Sequence, residues 1–252
     1  MHIERLSIEL TNRCNKACAF CYNHSHPAGD TCWQAGEVVG FVLDCVEQGT
    51  RAVSFGGGEP LLHADLFAIL HRLQGQVFRS LTTNGLLLDD AALFARLVAA
   101  KPDKVQISIH QPGLEAEVTR VVRQIGALEA AGIVCGVNLL VSADSLVAAS
   151  GAASRLHEAG LDNRRIVYLP QRGGNTPSAD DIMKLAGGPF QSMSCLTRCG
   201  PSPRFCSISW DKTAAWCSYT EARRVLPALT YAGLLAALRS LDVIHCARLR
   251  AA

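Results

Sequence analysis

The chain has 252 residues, 49% hydrophobic and 18% charged, which is enough apolar material for one sizeable core. Its 24 basic and 22 acidic residues leave a net charge of +2, too small an excess to point to a nucleic-acid or membrane surface. Glu4, Arg5 and Glu9 break up the apolar N-terminus and no apolar run is long enough to span a bilayer, so the expected location is the cytoplasm.

Six apolar, β-branched runs read as strands: Arg5–Thr11, Arg51–Phe55, Val77–Thr82, Lys104–His110, Val134–Val141 and Arg165–Leu169. Between them lie stretches of helical period. Val38, Phe41, Val42 and Cys45 form one apolar stripe. Leu66, Phe67, Leu70 and Leu73 form another, and Val118, Val121, Val122 and Ile125 a third. After the first unit the strands begin every 26 to 31 residues. That regular alternation predicts an α/β fold with a parallel sheet and helices outside it. Right-handed crossovers curl six such units into a partial (β/α)6 barrel or an open wound sheet. In either case the ligand site lies at the C-terminal strand ends.

Past Leu169 the pattern changes. Residues 1–170 read as a core and residues 171–194 as a Gly/Pro/Ser-rich connection with one short helix. Residues 195–252 read as a small cysteine-bearing tail. Within it, residues 206–217 suggest a β-hairpin around Asp211-Lys212. A helix follows from about Thr230 to Leu241, with Thr230 as its N-cap.

Eleven cysteines is a high count for a chain without a signal peptide, and clustered cysteines in a reducing compartment point to metal. Cys32, Cys45 and Cys135 stand apart and read as packing residues. Cys14, Cys18 and Cys21 crowd into the loop Asn12-Arg13-Cys14-Asn15-Lys16-Ala17-Cys18-Ala19-Phe20-Cys21-Tyr22, directly after the first strand. The loop is too polar for a core segment. Three thiolates at CxxxCxxC spacing can each bind one iron of a [4Fe–4S] cube, leaving the fourth iron open for a ligand. Zinc stays open as a second reading, with His24 or His26 as the fourth ligand.

CxxxCxxC with an aromatic before the third cysteine resembles the signature of the radical S-adenosylmethionine (SAM) superfamily. That resemblance implies an open iron that chelates the amino and carboxylate groups of SAM. It also implies reductive cleavage of SAM to a 5′-deoxyadenosyl radical, with an electron donor of the flavodoxin or ferredoxin type. Phe20 takes the place of the aromatic near the adenine, and Tyr22 is a further cofactor contact. Gly56-Gly57-Gly58-Glu59-Pro60 follows the second strand and resembles the family's GGEP motif, which binds the SAM amino group. Gly57 is the position where backbone is expected to approach that ligand.

Thr82-Thr83-Asn84-Gly85 resembles the family's TNG turn, and an ordinary Asn-Gly turn is its plain alternative. Ser108, His110 and Asn138 fall where family members contact SAM. His110 can equally be structural or face the substrate. Tyr168 and Leu169 fall where backbone atoms read adenine.

Cys195, Cys199, Cys206 and Cys217 come close together in the tail, with Cys246 near the terminus. The hairpin reading sets Cys206 opposite Cys217. The tail resembles a reduced SPASM domain, called a twitch domain, which holds an auxiliary [4Fe–4S] cluster. Cys199, Lys212 and Cys217 match its spacing, with lysine in place of the family's turn glycine. The closing CxxC is reduced to Cys246, so Cys195 or Cys206 is needed as a further ligand. Structural zinc and a redox disulfide between Cys206 and Cys217 stay open.

An auxiliary cluster that takes an electron from a substrate radical implies a net oxidation. Gln171-Arg172-Gly173-Gly174 follows the sixth strand and resembles the matching stretch of twitch-type aminocyclitol dehydrogenases. Arg172 is therefore expected to orient a polar substrate, with a supporting salt bridge as its alternative. A small polar metabolite is the expected substrate, because the chain leaves no room for a leader-binding domain before Arg5. A ribosomally made peptide is the second possibility. A non-enzymatic metal protein is a third class, against which the intact cysteine loop and the glycine motif both stand.

Overall fold

The computed structural model describes residues 2–202, 204–239 and 241 of the chain. Cys246, one of the expected metal ligands, lies outside these residues. In chain order the strands are β1 (Arg5–Thr11), β2 (Ala52–Gly57), β3 (Phe78–Thr83), β4 (Lys104–Ile109), β5 (Cys135–Val141), β6 (Ile166–Pro170), β7 (Phe205–Ile208), β8 (Thr213–Ala215) and β9 (Arg224–Val225). The helices are α1 (Ala35–Glu47), α2 (Leu66–Arg72), α3 (Ala91–Ala100), α4 (Glu115–Ala130), α5 (Leu146–Glu158), α6 (Ala179–Ala186), α7 (Met193–Thr197) and α8 (Tyr231–Leu238). All six expected strands form, with ends shifted by no more than two residues. The connection holds the one expected helix, α6, and α7 starts at its end and runs into the tail.

The chain divides into two compact units. The first comprises Met1–Thr83, Ala95–Asp103 and Pro201–Ile244. Its strands lie in the order β3-β2-β1-β7-β8-β9. The first four are parallel and the last two pairings antiparallel. Alternation sends Leu6, Ile8 and Leu10 to the buried helical side, and Ser7, Glu9 and Thr11 to the other face of β1. Helix α1 buries Val38, Val39, Phe41, Val42 and Cys45 at helical spacing. Its start is a capping box between Gln34 and Glu37. Helix α8 begins where expected, with the Thr230 hydroxyl accepting from Gly233 N at 3.1 Å.

The hairpin of the tail forms one residue out of its expected register. Ser207 pairs with Ala215 and Ile208 with Ala214, so the turn centres on Asp211. Carried one step further, that register sets Cys206 opposite Trp216 and not opposite Cys217. A one-residue slip reverses the face of every side chain. Cys206 accordingly sits fully buried. Burial, then the nearby Cys45 sulfur, pushes its thiol far above the usual range. Lys212 takes the left-handed backbone, φ 63°, that the family's turn glycine would adopt freely. Two contacts hold it there: an ion pair to Glu37 Oε1 at 2.7 Å, and a position 5.4 Å above the Trp33 ring.

The second unit comprises Asn84–Phe94 and Lys104–Gly200. Its strands β4, β5 and β6 are parallel neighbours, with Ser108 beside Asn138 and Asn138 beside Val167. Helix α4 buries Val118, Val121, Ile125 and Leu128. Helix α5 packs through Ala149, Ala152, Ala153 and Leu156.

One buried charge holds the far end of the first unit together. Arg79 is 2% exposed. Its Nε donates to Asp103 Oδ2 at 3.0 Å, Nη1 to the Leu70 carbonyl at 2.6 Å and Nη2 to the Lys101 carbonyl at 2.7 Å. Removing one partner of a buried, hydrogen-bonded pair leaves the others desolvated and unpaired. Arg79→Leu should therefore cost about 1–3 kcal/mol of stability, since the exposed Asp103 can return to water while the carbonyls cannot. Asp103→Asn should cost less, because three carbonyl contacts of the guanidinium survive it. Urea unfolding at unchanged slope measures both. A wild-type midpoint for Arg79→Leu would contradict this account.

Candidate active site

The cysteine loop is built by backbone bonds at the C-terminal end of β1. Asn12 N donates to the Asp30 carbonyl at 2.7 Å and Cys14 N to the His26 carbonyl at 3.0 Å, so the loop folds back along its own return limb. The Thr11 hydroxyl accepts from Arg13 N at 2.9 Å and turns the chain out of the strand. The end of β2 then supports the loop. Gly58 N donates to the Thr11 carbonyl at 2.7 Å and Glu59 N to the Arg13 carbonyl at 2.8 Å.

These bonds explain the glycines. A side chain on Gly58 would run into the Arg13 carbonyl, and one on Gly57 would sit 2.5 Å from the Thr11 carbonyl. Gly57 also has φ 118°, which favours glycine. Both glycines are therefore needed to seat β2 against the cysteine loop. A side chain at Gly57 would thus meet the Thr11 backbone, whatever its own N–H and carbonyl face. Gly56 is the open position: nothing lies within 4 Å of an added Cβ, and its register partner is Glu9.

Glu59 is fully buried. Its Oε1 accepts from Leu61 N at 3.1 Å and from the Thr83 hydroxyl at 2.8 Å, so the carboxylate caps the short 3-10 turn Pro60–Leu62.

The three cysteines suit iron ligation by their surroundings. The Cys14 sulfur accepts from Lys16 N and the Cys21 sulfur from Ser25 N, each at 3.4 Å. Backbone N–H groups aimed at sulfur are a known tuning element of thiolate-bound clusters. Cys14 is buried, and Cys18 and Cys21 are half-buried. Burial raises the Cys14 thiol; the Lys16 amide lowers it, and the nearby Glu59, Cys18 and Cys21 raise it further. Among the described residues no group of three or more His, Cys, Asp or Glu converges on one metal-ion position. A four-iron cube asks instead for one thiolate at each iron. His24 and His26, the candidate fourth zinc ligands, are exposed. Phe20 and Tyr22 are half-buried beside the cysteines.

A second cluster of polar groups underlies this loop, and the sequence reading passed over it. Glu9 is 1% exposed at the end of β1. Its Oε2 accepts the Ser209 hydroxyl at 2.8 Å, and its Oε1 lies 3.9 Å from Arg223 Nη2. Burial raises the Glu9 carboxyl above its usual range, while Arg223 and the Ser209 and Tyr22 hydroxyls pull it back. The Tyr22 ring meets Tyr219 at 4.9 Å. Burial, then Glu9, pushes the Tyr22 hydroxyl well up. The one sequence signal for this cluster is a glutamate between Ser7 and Thr11 on the polar face of the first strand.

In the second unit the expected cofactor residues fall at strand ends. The Asn84 side chain accepts from Leu86 N at 2.9 Å, and Gln124 Nε2 donates to the Gly85 carbonyl at 2.8 Å, which builds an ordinary Asn-Gly turn. Ser108 and Asn138 share one face, where Asn138 Oδ1 accepts from Gln106 Nε2 at 3.2 Å. His110 lies 4.0 Å from Glu117 of α4. Leu169 follows the face of Asn138, and Tyr168 the opposite one. The Tyr168 hydroxyl donates to Asn163, and its carbonyl accepts the Ser192 hydroxyl. Arg172 is half-buried just past β6. Cys195 and Cys199 of this unit, and Cys217 of the first, are half-buried.

Comparison with known proteins agrees with this arrangement. Residues 8–131 match the Radical SAM superfamily. A probable GTP 3′,8-cyclase of Halobacterium salinarum is 31% identical over 203 residues, covering 71% of this chain and 55% of the relative. A probable GTP 3′,8-cyclase of Methanopyrus kandleri is 37% identical over 107 residues, 42% of this chain and 34% of the relative. The chain thus spans about a third to a half of these curated relatives.

Among solved structures, Streptococcus suis SuiB bound to its precursor peptide SuiA superposes with a TM-score of 0.70 at 13% identity. That match covers 89% of this chain and 62% of SuiB. Native anSMEcpe with bound AdoMet superposes with a TM-score of 0.66 at 16% identity, over 92% of this chain and 80% of that one. These likenesses show the fold expected from the strand pattern, the partial (β/α)6 barrel of the radical SAM type. Among the described residues no helix is long and apolar enough to cross a membrane. Residues 8–131 form a radical SAM domain.

Proposed function

We propose that this chain is an enzyme that reductively cleaves SAM and abstracts a hydrogen atom from a polar substrate. The observation that carries the reading is the cysteine loop seated on the glycine turn, by Gly58 N to Thr11 O and Glu59 N to Arg13 O. The family implies a [4Fe–4S] cluster with SAM. Cys14, Cys18 and Cys21 are the residues that would hold it. When bound, that pair supplies a 5′-deoxyadenosyl radical for hydrogen abstraction.

The chain's own residues do the rest. Gly56 leaves space beside Glu9, on the face away from the helices. Gly57, Gly58 and Glu59 fix the loop's position. On the family resemblance, Phe20, Tyr22, Asn84, Ser108, His110, Asn138, Tyr168 and Leu169 contact SAM, and Arg172 orients the substrate.

For the substrate we favour a small polar metabolite and a net oxidation. The curated relatives are named for a reaction of GTP, itself a small polar molecule. A peptide substrate is the second reading, favoured by the likeness to SuiB bound to its precursor peptide. On sequence grounds we also propose a second [4Fe–4S] cluster in the tail, with Cys199 and Cys217 as its first ligands and the others drawn from Cys195, Cys206 and Cys246. Cys206 is fully buried beside Cys45, as Cys14 is buried in the first cysteine loop.

Three outcomes test these proposals. Anaerobically reconstituted protein, given a reductant and SAM, should release 5′-deoxyadenosine. The triple change of Cys14, Cys18 and Cys21 to Ala should abolish that release; a triple variant that still cleaves SAM refutes the assignment.

The glycines should separate cleanly. Gly56→Val should keep its iron and weaken SAM binding at least tenfold, about 1.4 kcal/mol. Gly58→Ala should instead lose iron, since its side chain displaces the Arg13 carbonyl. Equal SAM affinity in Gly56→Val and wild type would exclude this face as the binding side.

Total iron should be about eight per chain, as two cubes require, and fall to about half in Cys199→Ala/Cys217→Ala. Unchanged iron in that double variant, or stoichiometric zinc in anaerobically purified protein, would remove the second cluster and with it the main support for a net oxidation.

A further inference from the structure

The fully buried Glu9 faces the half-buried Arg223 in a pair that is incompletely satisfied. Among the described residues, Glu9 Oε1 and Arg223 Nη1 have no protein hydrogen-bond partner. The two groups stand 3.9 Å apart, beyond hydrogen-bond length. Natural cores pair their buried polar atoms, so an exception on both sides of one ion pair asks for a reason. The pair lies between two cysteine segments. Tyr22 stands next to Cys21, and Tyr219 next to Ser218. Arg223 Nη2 donates at 2.8 Å to the carbonyl of Ser218, next to Cys217. The Tyr22 and Tyr219 rings touch, which closes the circuit from one segment to the other.

We propose that Glu9 and Arg223 are positioning residues whose opposed charges set the reduction potential of the cluster held by Cys14, Cys18 and Cys21. The inference rests on the proposed cluster site. Charges in a dry interior are screened little by salt. A negative charge near an iron–sulfur centre disfavours an added electron, and a positive charge favours it. As a pair the two nearly cancel at the cluster. Losing either one leaves the other acting alone.

The test is a redox titration, followed by electron paramagnetic resonance, of the anaerobically reconstituted full chain. It reads the four-iron signal that responds to added SAM. Glu9→Gln should raise the midpoint potential, Arg223→Gln should lower it, and the double variant should return close to wild type. Loss of a merely structural contact would move both single variants the same way, or neither, and would not restore the double; that result overturns the proposal. Should Glu9→Gln fail to bind iron, Arg223→Gln against Arg223→Lys carries the test. The first should lower the potential and the charge-keeping second should not; equal shifts in both overturn the proposal. A wild-type protein with no SAM-responsive four-iron signal would instead refute the cluster site, and this inference with it.

Discussion

Everything proposed for the active site hangs on two backbone hydrogen bonds, Gly58 N to Thr11 O and Glu59 N to Arg13 O. A polar loop of eleven residues carrying three cysteines has little apolar surface with which to hold itself in place. It takes its position from the strand end beside it. That dependence explains why a glycine run must follow the second strand. Any side chain at Gly57 or Gly58 would occupy the space that the Thr11 and Arg13 carbonyls need. It also explains the burial of Glu59, which closes the turn by accepting from Leu61 N and Thr83. The chemistry assigned to the glycines is thus divided. Two of them hold the loop, and one leaves room.

The strand architecture was legible because its signal is redundant. Each strand repeats the same apolar run at nearly regular intervals, and an error of one residue at an end changes nothing else. Bounds for β1 agree to the residue, and Thr230 caps α8 as its hydroxyl chemistry requires. The hairpin was not legible at the same precision. Asp211-Lys212 looks like the centre of a two-residue turn, and the observed pairs centre on Asp211 alone. Period-two alternation makes that half-step decisive: it turns Cys206 away from Cys217 and into the core beside Cys45. A cysteine's type says nothing about its face, so the sequence alone does not tell which way each of the four thiols points.

The same limit applies to the glycine motif and the strand-end residues. Composition identifies Gly57 as permissive but not which atoms approach it. Only the packing distinguishes a glycine crowded by Thr11 from Gly56, which faces nothing within 4 Å. Likewise Tyr168 was assigned by its place at a strand end, yet its hydroxyl reaches Asn163 and its carbonyl is occupied by Ser192. Strand ends locate a site to within a residue or two. The direction of each side chain then follows from register, which a single sequence encodes weakly.

Three residues of the first unit break local rules, and what compensates each of them differs. Arg79 is a fully buried charge, yet its guanidinium reaches Asp103 and the carbonyls of Leu70, Ala100 and Lys101. Lys212 occupies a left-handed backbone, yet Glu37 and the Trp33 ring hold its ammonium. Both exceptions are resolved by contacts that serve the fold. Glu9 is different. Its partner stands off at 3.9 Å, and each side of the pair keeps a buried atom without a protein hydrogen-bond partner among the described residues. A core residue under selection for stability alone would be replaced by an apolar one of similar size, because burying an imperfect ion pair brings no net gain. Rules broken without local compensation tend to mark functional sites. By that criterion the residue to follow beneath the cysteine loop is neither the arginine at the far end nor the lysine in the turn, but the glutamate between Tyr22 and Arg223.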